Sequence, residues 1–254
     1  MNRIYRVIGP ATVLILLLIL WWVVTASGQV DPLVLPSPAA VLAVFWNQTA
    51  LIADNAGFTA AEAVIGLILG NGLGLLLAIL FVASALTRRA VLPLAMATQS
   101  IPIIAITPAL IIGFGSGMAP KILVVIFLVF LPMLVNAMRG LRGAEADLGE
   151  LMHSLDASAI QKLWMVRLPA ALPFIFTALK FSACSAFVAA IIAEWLSADH
   201  GLGYLIVYAG AQYKSDQVWA AVLTGAGSSM ILVGLVIGLE RLMMPWAQEP
   251  TMDP

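Results

Sequence analysis

The sequence predicts an all-α integral membrane protein built on six transmembrane helices. Three observations carry that prediction. The 254 residues are 62% hydrophobic and only 10% charged, against roughly 25% charged in soluble domains, so polar surface is too scarce to cover a water-soluble body. Several apolar runs approach or exceed the ~20 residues that span a bilayer as a helix. The basic residues also fall unevenly between successive connections, as the orientation rule for membrane helices requires. A net charge of −1 adds nothing by itself. The single cysteine, Cys184, lies in an apolar run and can form no internal disulfide.

Span one is expected over about 7–26. Arg3 and Arg6 precede an apolar run containing Trp21 and Trp22. Val24-Thr25-Ala26 resembles a signal-peptide cleavage site, but the run exceeds the usual apolar core of such peptides and further spans follow. Ser37 followed by Pro38 has the form of a helix start, predicting a short helix through Val41, Val44 and Phe45 that lies at the interface. Span two, about 62–84, carries Gly66, Gly70 and Gly74 at four-residue spacing. Such a stripe either lets another helix approach closely or reflects the ordinary tolerance of membrane helices for glycine.

Span three, about 90–114, contains Pro93, Pro102 and Pro108 among the polar residues Thr98, Gln99, Ser100 and Thr107. Proline frees backbone carbonyls that only protein or water can satisfy inside a membrane. This span is therefore expected to face the protein interior, with Thr98, Gln99, Ser100, Pro102 and Thr107 lining a transport path. Gly113 to Gly117 reads as a turn, and Lys121 opens span four at about 122–138. Span five covers about 171–195, with Lys180 inside it and Glu194 near its far end. Span six covers about 218–239 and has a small polar stretch from Thr224 to Ser229.

Arg3, Arg6, Arg88, Arg89, Arg139, Arg142, Lys162, Arg167 and Arg241 fall on one side of this arrangement, and Lys121 and Lys214 on the other. Nine against two places both termini and the loop 139–170 in the cytoplasm. The segments 27–60 and 197–217 then face outward. A seventh span would destroy the asymmetry.

The loop holds the longest polar interval of the chain. From Glu145, apolar residues recur at Leu148, Leu151, Met152 and Leu155, a helical spacing. Asp156 interrupts it. Ser158 with Gln161 three residues later has the form of a capping box, and Pro169 and Pro173 close the segment before span five. A cytoplasmic helix–turn–helix tied to a membrane helix suits insertion into a groove on a partner protein, or could simply lie on the lipid.

The same residues carry a resemblance. Permease subunits of bacterial ATP-binding-cassette importers have a cytoplasmic motif of Glu-Ala-Ala, three residues, Gly, nine residues, Ile, any residue and Leu-Pro. This chain has Glu150-Leu151-Met152, three residues, Asp156, nine residues, Val166, Arg167 and Leu168-Pro169. The spacing matches throughout, with Leu151 and Met152 in place of the alanines and Asp156 in place of the glycine. Asp can visit the left-handed backbone that glycine favours, at some cost.

Leu35 to Pro38, Ser100-Ile101-Pro102 with Pro108, Leu168 to Pro173, Ala193-Glu194 and Gly201 to Tyr204 are similar to the nitrate, sulfonate and taurine branch of these permeases. The text of span five is also similar to permeases for thiamine-precursor pyrimidines and related heterocycles such as riboflavin.

The resemblance implies a type I importer permease of the bacterial inner membrane, working as a homodimer in the lipid with two ATPase subunits and an extracytoplasmic solute-binding protein. It implies an ATPase-coupling surface at Glu145, Leu148, Glu150, Leu151, Leu155, Asp156, Ala157, Ser158, Val166, Leu168 and Pro169. Glu194, His200 and Tyr204 would face the binding protein.

The chain has no phosphate-binding Gly-x-x-x-x-Gly-Lys-Ser/Thr sequence, so ATP and its Mg ion belong on the partner ATPase and this chain binds no cofactor or metal. Nothing suggests a nucleic-acid partner. An ion-coupled transporter or channel would show ionisable residues deep in the membrane. Lys180 and Glu194 are the candidates within the predicted spans, and fourteen residues along one helix, roughly 21 Å, keep them from pairing. For Glu194 a rim contact or a structural cap is expected instead of a proton relay. An intramembrane enzyme is disfavoured. His153 and His200 are predicted on opposite sides, and Gly115-Ser116-Gly117 is not a nucleophile elbow.

Overall fold

A computed structural model describes residues 2–154, 156–197 and 199–246. Every regular element among them is helical. In order they are α1 (Asn2–Ala26), α2 (Pro38–Asn47), α3 (Thr49–Ala83), α4 (Ala85–Ala97), α5 (Ile103–Phe114) and α6 (Met118–Ser154), then α7 (Ala159–Lys162), α8 (Leu168–Ser197), α9 (Leu202–Ala211) and α10 (Ser215–Met243). A 3-10 turn at Thr98–Ser100 follows α4, and a π-helical turn at Leu163–Arg167 joins α7 to α8. Among the described residues, four helical stretches are long and apolar enough to cross a bilayer: Thr49–Ala83, Met118–Gly143, Ala159–Leu196 and Ser215–Met243. The bent pair α4 and α5 makes a fifth if it is one span.

The outer surface is what a bilayer solvates. Leu16, Ile112 and Trp46 are all more than half exposed, a surface that water would penalise. α2 starts as its sequence requires. The Ser37 hydroxyl accepts the Ala40 N–H at 3.2 Å with Pro38 in the first turn. Its ten residues are too short to cross. The preceding segment is held by its carbonyls, with Trp21 donating to Pro36, Trp219 to Val34 and Ser215 to Pro32.

α3 begins at Thr49, well before the expected boundary at 62. Asn55, Thr59, Glu62, Gly66, Gly70 and Gly74 are buried along it, and their spacing of three and four puts them on one stripe. Glu62, at the expected start of span two, is fully buried and faces protein. The glycine half of the stripe is a true close approach. An ideal Cβ on Gly66 would sit 2.5 Å from Val125 Cβ, and one on Gly74 would sit 2.9 Å from Met133 Cβ and 3.0 Å from the Leu134 nitrogen. α6 packs against this groove and against α8, where an added Cβ on Gly140 would meet Ala171 Cα at 2.9 Å. Phe81, Met133, Leu134, Leu141 and Ala171 are buried around that contact.

The expected third span is two helices. α4 and α5 meet at 100°. Pro102 fixes its own φ at −62° and its ψ is 121°, and the residue before it, Ile101, is extended at φ −87° and ψ 120°. A residue preceding proline is driven out of the helical region, so the helix cannot continue. The other end of the sequence reading errs in the opposite direction. Pro169 and Pro173 do not interrupt the chain. Both lie in α8, and the π turn absorbs the disturbance.

Candidate functional site

At one end of the molecule, α6 and α8 are joined by a tight turn. The Ala157 N–H donates to the Met152 carbonyl at 3.1 Å, the six-residue closure of a Schellman cap. Asp156 sits inside that closure at φ 50°, the left-handed position where glycine is the usual occupant. Asp156 is exposed, Ala157 half-buried and Ser158 exposed. The Ser158 hydroxyl accepts the Gln161 N–H at 3.3 Å, and Gln161 Oε1 accepts the Ser158 N–H at 2.8 Å. Both halves of the capping box are therefore present and start α7.

The π turn follows from Pro169. Proline cannot donate back along the helix and its ring crowds the carbonyl four residues earlier. Widening the preceding turn relieves both, and the Leu168 N–H reaches the Leu163 carbonyl instead. Val166 and Leu168 are half-buried and Pro169 is exposed in the first turn of α8. Glu145, Leu148, Glu150 and Leu151 are carried on the last turns of α6, and Leu155 lies outside the described residues. The turn thus links α6 to the run of α7 and α8, and α6 and α8 pack against each other.

Around the α4–α5 bend, Gln99, Ser100 and Pro102 are exposed and Thr98 is half-buried. Gln99 Nε2 donates to the Phe127 carbonyl at 3.4 Å, tying the bend to α6. Thr107 is fully buried and donates to the Ile103 carbonyl at 2.8 Å. An apolar cavity of about 290 Å³ lies between this bend and α6, walled by Thr98, Ile103, Ile106, Leu110, Phe127 and Phe130 among others.

At the other end, α9 is capped entirely by side chains. The Gly201 N–H donates to Asn55 Oδ1 at 2.9 Å, the Leu202 N–H to Thr59 Oγ1 at 2.8 Å and the Gly203 N–H to Glu194 Oε2 at 2.6 Å. Thr59 in turn donates to Glu194 Oε1 at 2.7 Å. These are the orphan donors every helix N-terminus must satisfy.

Glu194 is 1% exposed, and its carboxylate caps α9 inside the fold. Gly201 adopts φ 110° with the Glu194 carboxylate packed where a Cβ would lie, and any side chain there would displace the cap. Beside the cap, Lys121 Nζ lies 3.1 Å from Glu62 Oε1, with both side chains buried. Lys121 is therefore an interior ion-pair partner, not the outer-connection charge that the sequence suggested. His200 stacks on Phe58 at 4.7 Å and Tyr204 on Tyr208 at 5.5 Å.

Sequence reading did not single out Asn55, Thr59 or Lys121 as members of a buried cluster, nor Glu240 as the partner of Lys180. Lys180 Nζ lies 3.0 Å from both carboxylate oxygens of Glu240. The available signal was the unbroken three-and-four spacing from Asn55 to Gly74, which continues the glycine stripe into polar residues.

Long apolar helices joined end to end by short turns describe a polytopic helical membrane protein. A chain of the MetNI methionine ABC transporter, in an inward-facing conformation, has the same fold, with a TM-score of 0.64 at 18% identity over 79% of this chain and 97% of that one. The sequence profile of binding-protein-dependent transport system inner membrane components matches residues 70–247, and the chain belongs to that family.

It is 30% identical to the formylaminopyrimidine transport permease protein ThiX of Halalkalibacterium halodurans over 254 residues, covering 98% of this chain and 100% of that one. It is 31% identical to the taurine transport system permease protein TauC of Escherichia coli over 251 residues, covering 93% and 88%. A probable ABC transporter permease protein of Haemophilus influenzae is 32% identical over 227 residues, covering 89% and 93%.

Proposed function

We propose that this chain is the membrane-spanning subunit of an ATP-driven importer. It would translocate a small organic solute or anion, of the sulfonate, taurine or nitrate kind, delivered by an extracytoplasmic binding protein. The observation that carries the reading is the inner turn. Its left-handed Asp156, its Schellman closure and its capping box hold a fixed shape between two helices that run on into the bundle.

In the proposed mechanism, two permease copies with six spans each sit in the bacterial inner membrane with both termini inside. An ATPase subunit grips the surface from Glu145 to Ser158, together with Val166, Leu168 and Pro169. ATP draws the two ATPase subunits together, the turns follow, and α6 and α8 move as rigid levers that open the path outward. Thr98, Gln99, Ser100, Pro102 and Thr107 lie toward that path. The bend at Pro102 is where the lever meets it. His200 and Tyr204 sit beside the outer cap and face the binding protein, while Glu194 acts on that surface only through α9. Coupling requires the ATP-bound and outward states to favour one another by a few kcal/mol, since linkage is reciprocal.

The similarity to ThiX along its full length favours a second reading of the cargo, a pyrimidine or related heterocycle, within the same mechanism. Purification of the tagged permease from its native membrane in mild detergent, with mass spectrometry of what accompanies it, tests the class. An ATPase subunit and a binding protein should come with it. The ligand that raises the melting temperature of that binding protein then decides between sulfonate-like and heterocyclic cargo. A permease that is well folded and repeatedly alone would overturn the importer reading.

A further inference from the structure

α3 and α6 meet rung by rung at one fixed offset. Lys121 pairs with Glu62, Val125 lies over Gly66, Val129 over Gly70 and Met133 over Gly74. Each α6 residue stands 59 positions after its partner on α3, so the two helices run in the same direction with four-residue steps on both. The same offset sets Ala137 against Ala78, both fully buried in one core cluster. Three of these rungs are alike, an apolar side chain seated on a glycine. A ladder of like rungs has no preferred notch. Moving α6 outward by one turn, about 6 Å, would seat Val129 on Gly66, Met133 on Gly70 and Ala137 on Gly74. Moving it inward would seat Val125 on Gly70 and Val129 on Gly74. The apolar packing is largely remade in either case.

The rung at Lys121 and Glu62 is different. It is an ion pair at 3.1 Å between side chains only 8% and 1% exposed. An outward slip would set Val125 against the Glu62 carboxylate, and an inward slip would set Lys121 against Gly66. Leaving one partner of a buried pair uncompensated is far costlier than replacing both by apolar groups. A single polar position in an apolar helix seam is accordingly the best-attested way to fix register.

We propose that the Lys121–Glu62 pair locks the axial register of α6 on α3 and so positions the turn after α6. That turn rides on α6, which is helical from Met118 to Ser154. A one-turn slip at the seam would carry it about 6 Å along the helix axis, and one-turn ratchets of one helix past another are known switching steps. The link to coupling rests on the importer reading above, and the register itself does not. Glu194 lies beside the pair, but its oxygens accept hydrogen bonds from Thr59 and from the Gly203 N–H. Removing Lys121 and Glu62 together therefore leaves those bonds and the net charge of the cluster unchanged.

Oxidative cross-linking of the full-length permease in native membranes, with Cys184 replaced by serine, tests this. A78C/A137C reports the native register, A78C/L141C an outward slip and A78C/M133C an inward one. With Lys121 and Glu62 in place, A78C/A137C should cross-link about tenfold more than either other pair, because a one-turn displacement is out of disulfide reach. In K121M/E62L the slipped pairs should gain about fivefold while the melting temperature matches wild type, since apolar replacement of a buried pair conserves stability. K121E/E62K, which keeps the pair with its charges reversed, should return the native pattern. K121M/V125K, with Glu62 kept, should move the cross-link to A78C/L141C, because the displaced lysine meets Glu62 only after an outward step. A native pattern in both K121M/E62L and K121M/V125K would overturn the lock. So would a K121M/E62L protein that melts well below wild type with the native cross-link retained, which would make the pair a stability element. In the reconstituted complex, ATP hydrolysis stimulated by the binding protein should fall as the slip grows. Slip without that fall would leave the lock standing and remove its role in coupling.

Discussion

Replacing Asp156 tests the inner turn most directly. An L-residue in the left-handed region costs about 1–2 kcal/mol against the right-handed one, and Asp tolerates it better than most. Glycine carries no such steric penalty but loses more chain entropy on folding. For Asp156→Gly the net expectation is a turn firmer by about 0.5–1 kcal/mol. Asp156→Val should weaken it by about 1–2 kcal/mol, because a β-branched residue is a steric outlier at positive φ. The spread between the two variants is then about 2 kcal/mol, or roughly thirty-fold in the population of formed turn.

The Ala157 amide reads this population, since its hydrogen bond to the Met152 carbonyl exists only while Asp156 holds φ near 50°. Hydrogen exchange at Ala157 should slow in Asp156→Gly and quicken in Asp156→Val. ATP hydrolysis by the reconstituted complex, stimulated by its binding protein, should follow the same order. Unchanged Ala157 protection and unchanged ATPase coupling in Asp156→Val would refute the reasoning. So would complete loss of transport in a well-folded Asp156→Gly protein, which would give the carboxylate a role of its own.

Ser158→Ala removes one half of the capping box and should cost about 1 kcal/mol of local stability, seen as faster exchange at the Gln161 amide with the membrane spans unaffected. Gly74→Val should separate α3 from α6, since even a Cβ there would sit 2.9 Å from Met133 Cβ. Overpacking of this kind costs about 1–3 kcal/mol, and a melting temperature equal to wild type would remove the close-approach reading. Lys180→Met should lower thermal stability by leaving the partly buried Glu240 unpaired, and Lys180→Met with Glu240→Leu should recover most of the loss. A double variant no better than the single one would show that the pair is not coupled. Glu194→Ala should free the N-terminus of α9, read as rapid exchange at the Gly203 amide that now donates to Glu194 Oε2.

Much of the inner turn was legible in the sequence because its signals are local. A capping box spans four residues, and a left-handed position is a property of one residue. The apolar runs likewise report the bilayer, a solvent that acts on each segment separately. The glycines at 66, 70 and 74 left two readings open because a stripe does not name what lies against it. Val125, Val129 and Met133 on α6 supply the answer.

Three features depended on tertiary structure, and each has a reason. The bend of 100° at Pro102 could not be told from a mere kink, since proline is tolerated inside membrane helices whenever neighbours satisfy the carbonyls it frees, as Pro169, Pro173 and Pro132 show here. Glu62, Lys121 and Glu194 read as charges at span ends because burial of an ionised group is costly unless a partner is present. Those partners lie on other helices, as Glu240 does for Lys180 across 60 residues of sequence. The π turn at Leu163–Arg167 is likewise a product of continuing the helix through Pro169. By itself the sequence determined that the chain is an all-helical membrane protein and where the turn after α6 falls. The tertiary structure decided which polar groups face protein, because a hydrogen-bond partner distant in sequence converts an apparent surface charge into an interior one.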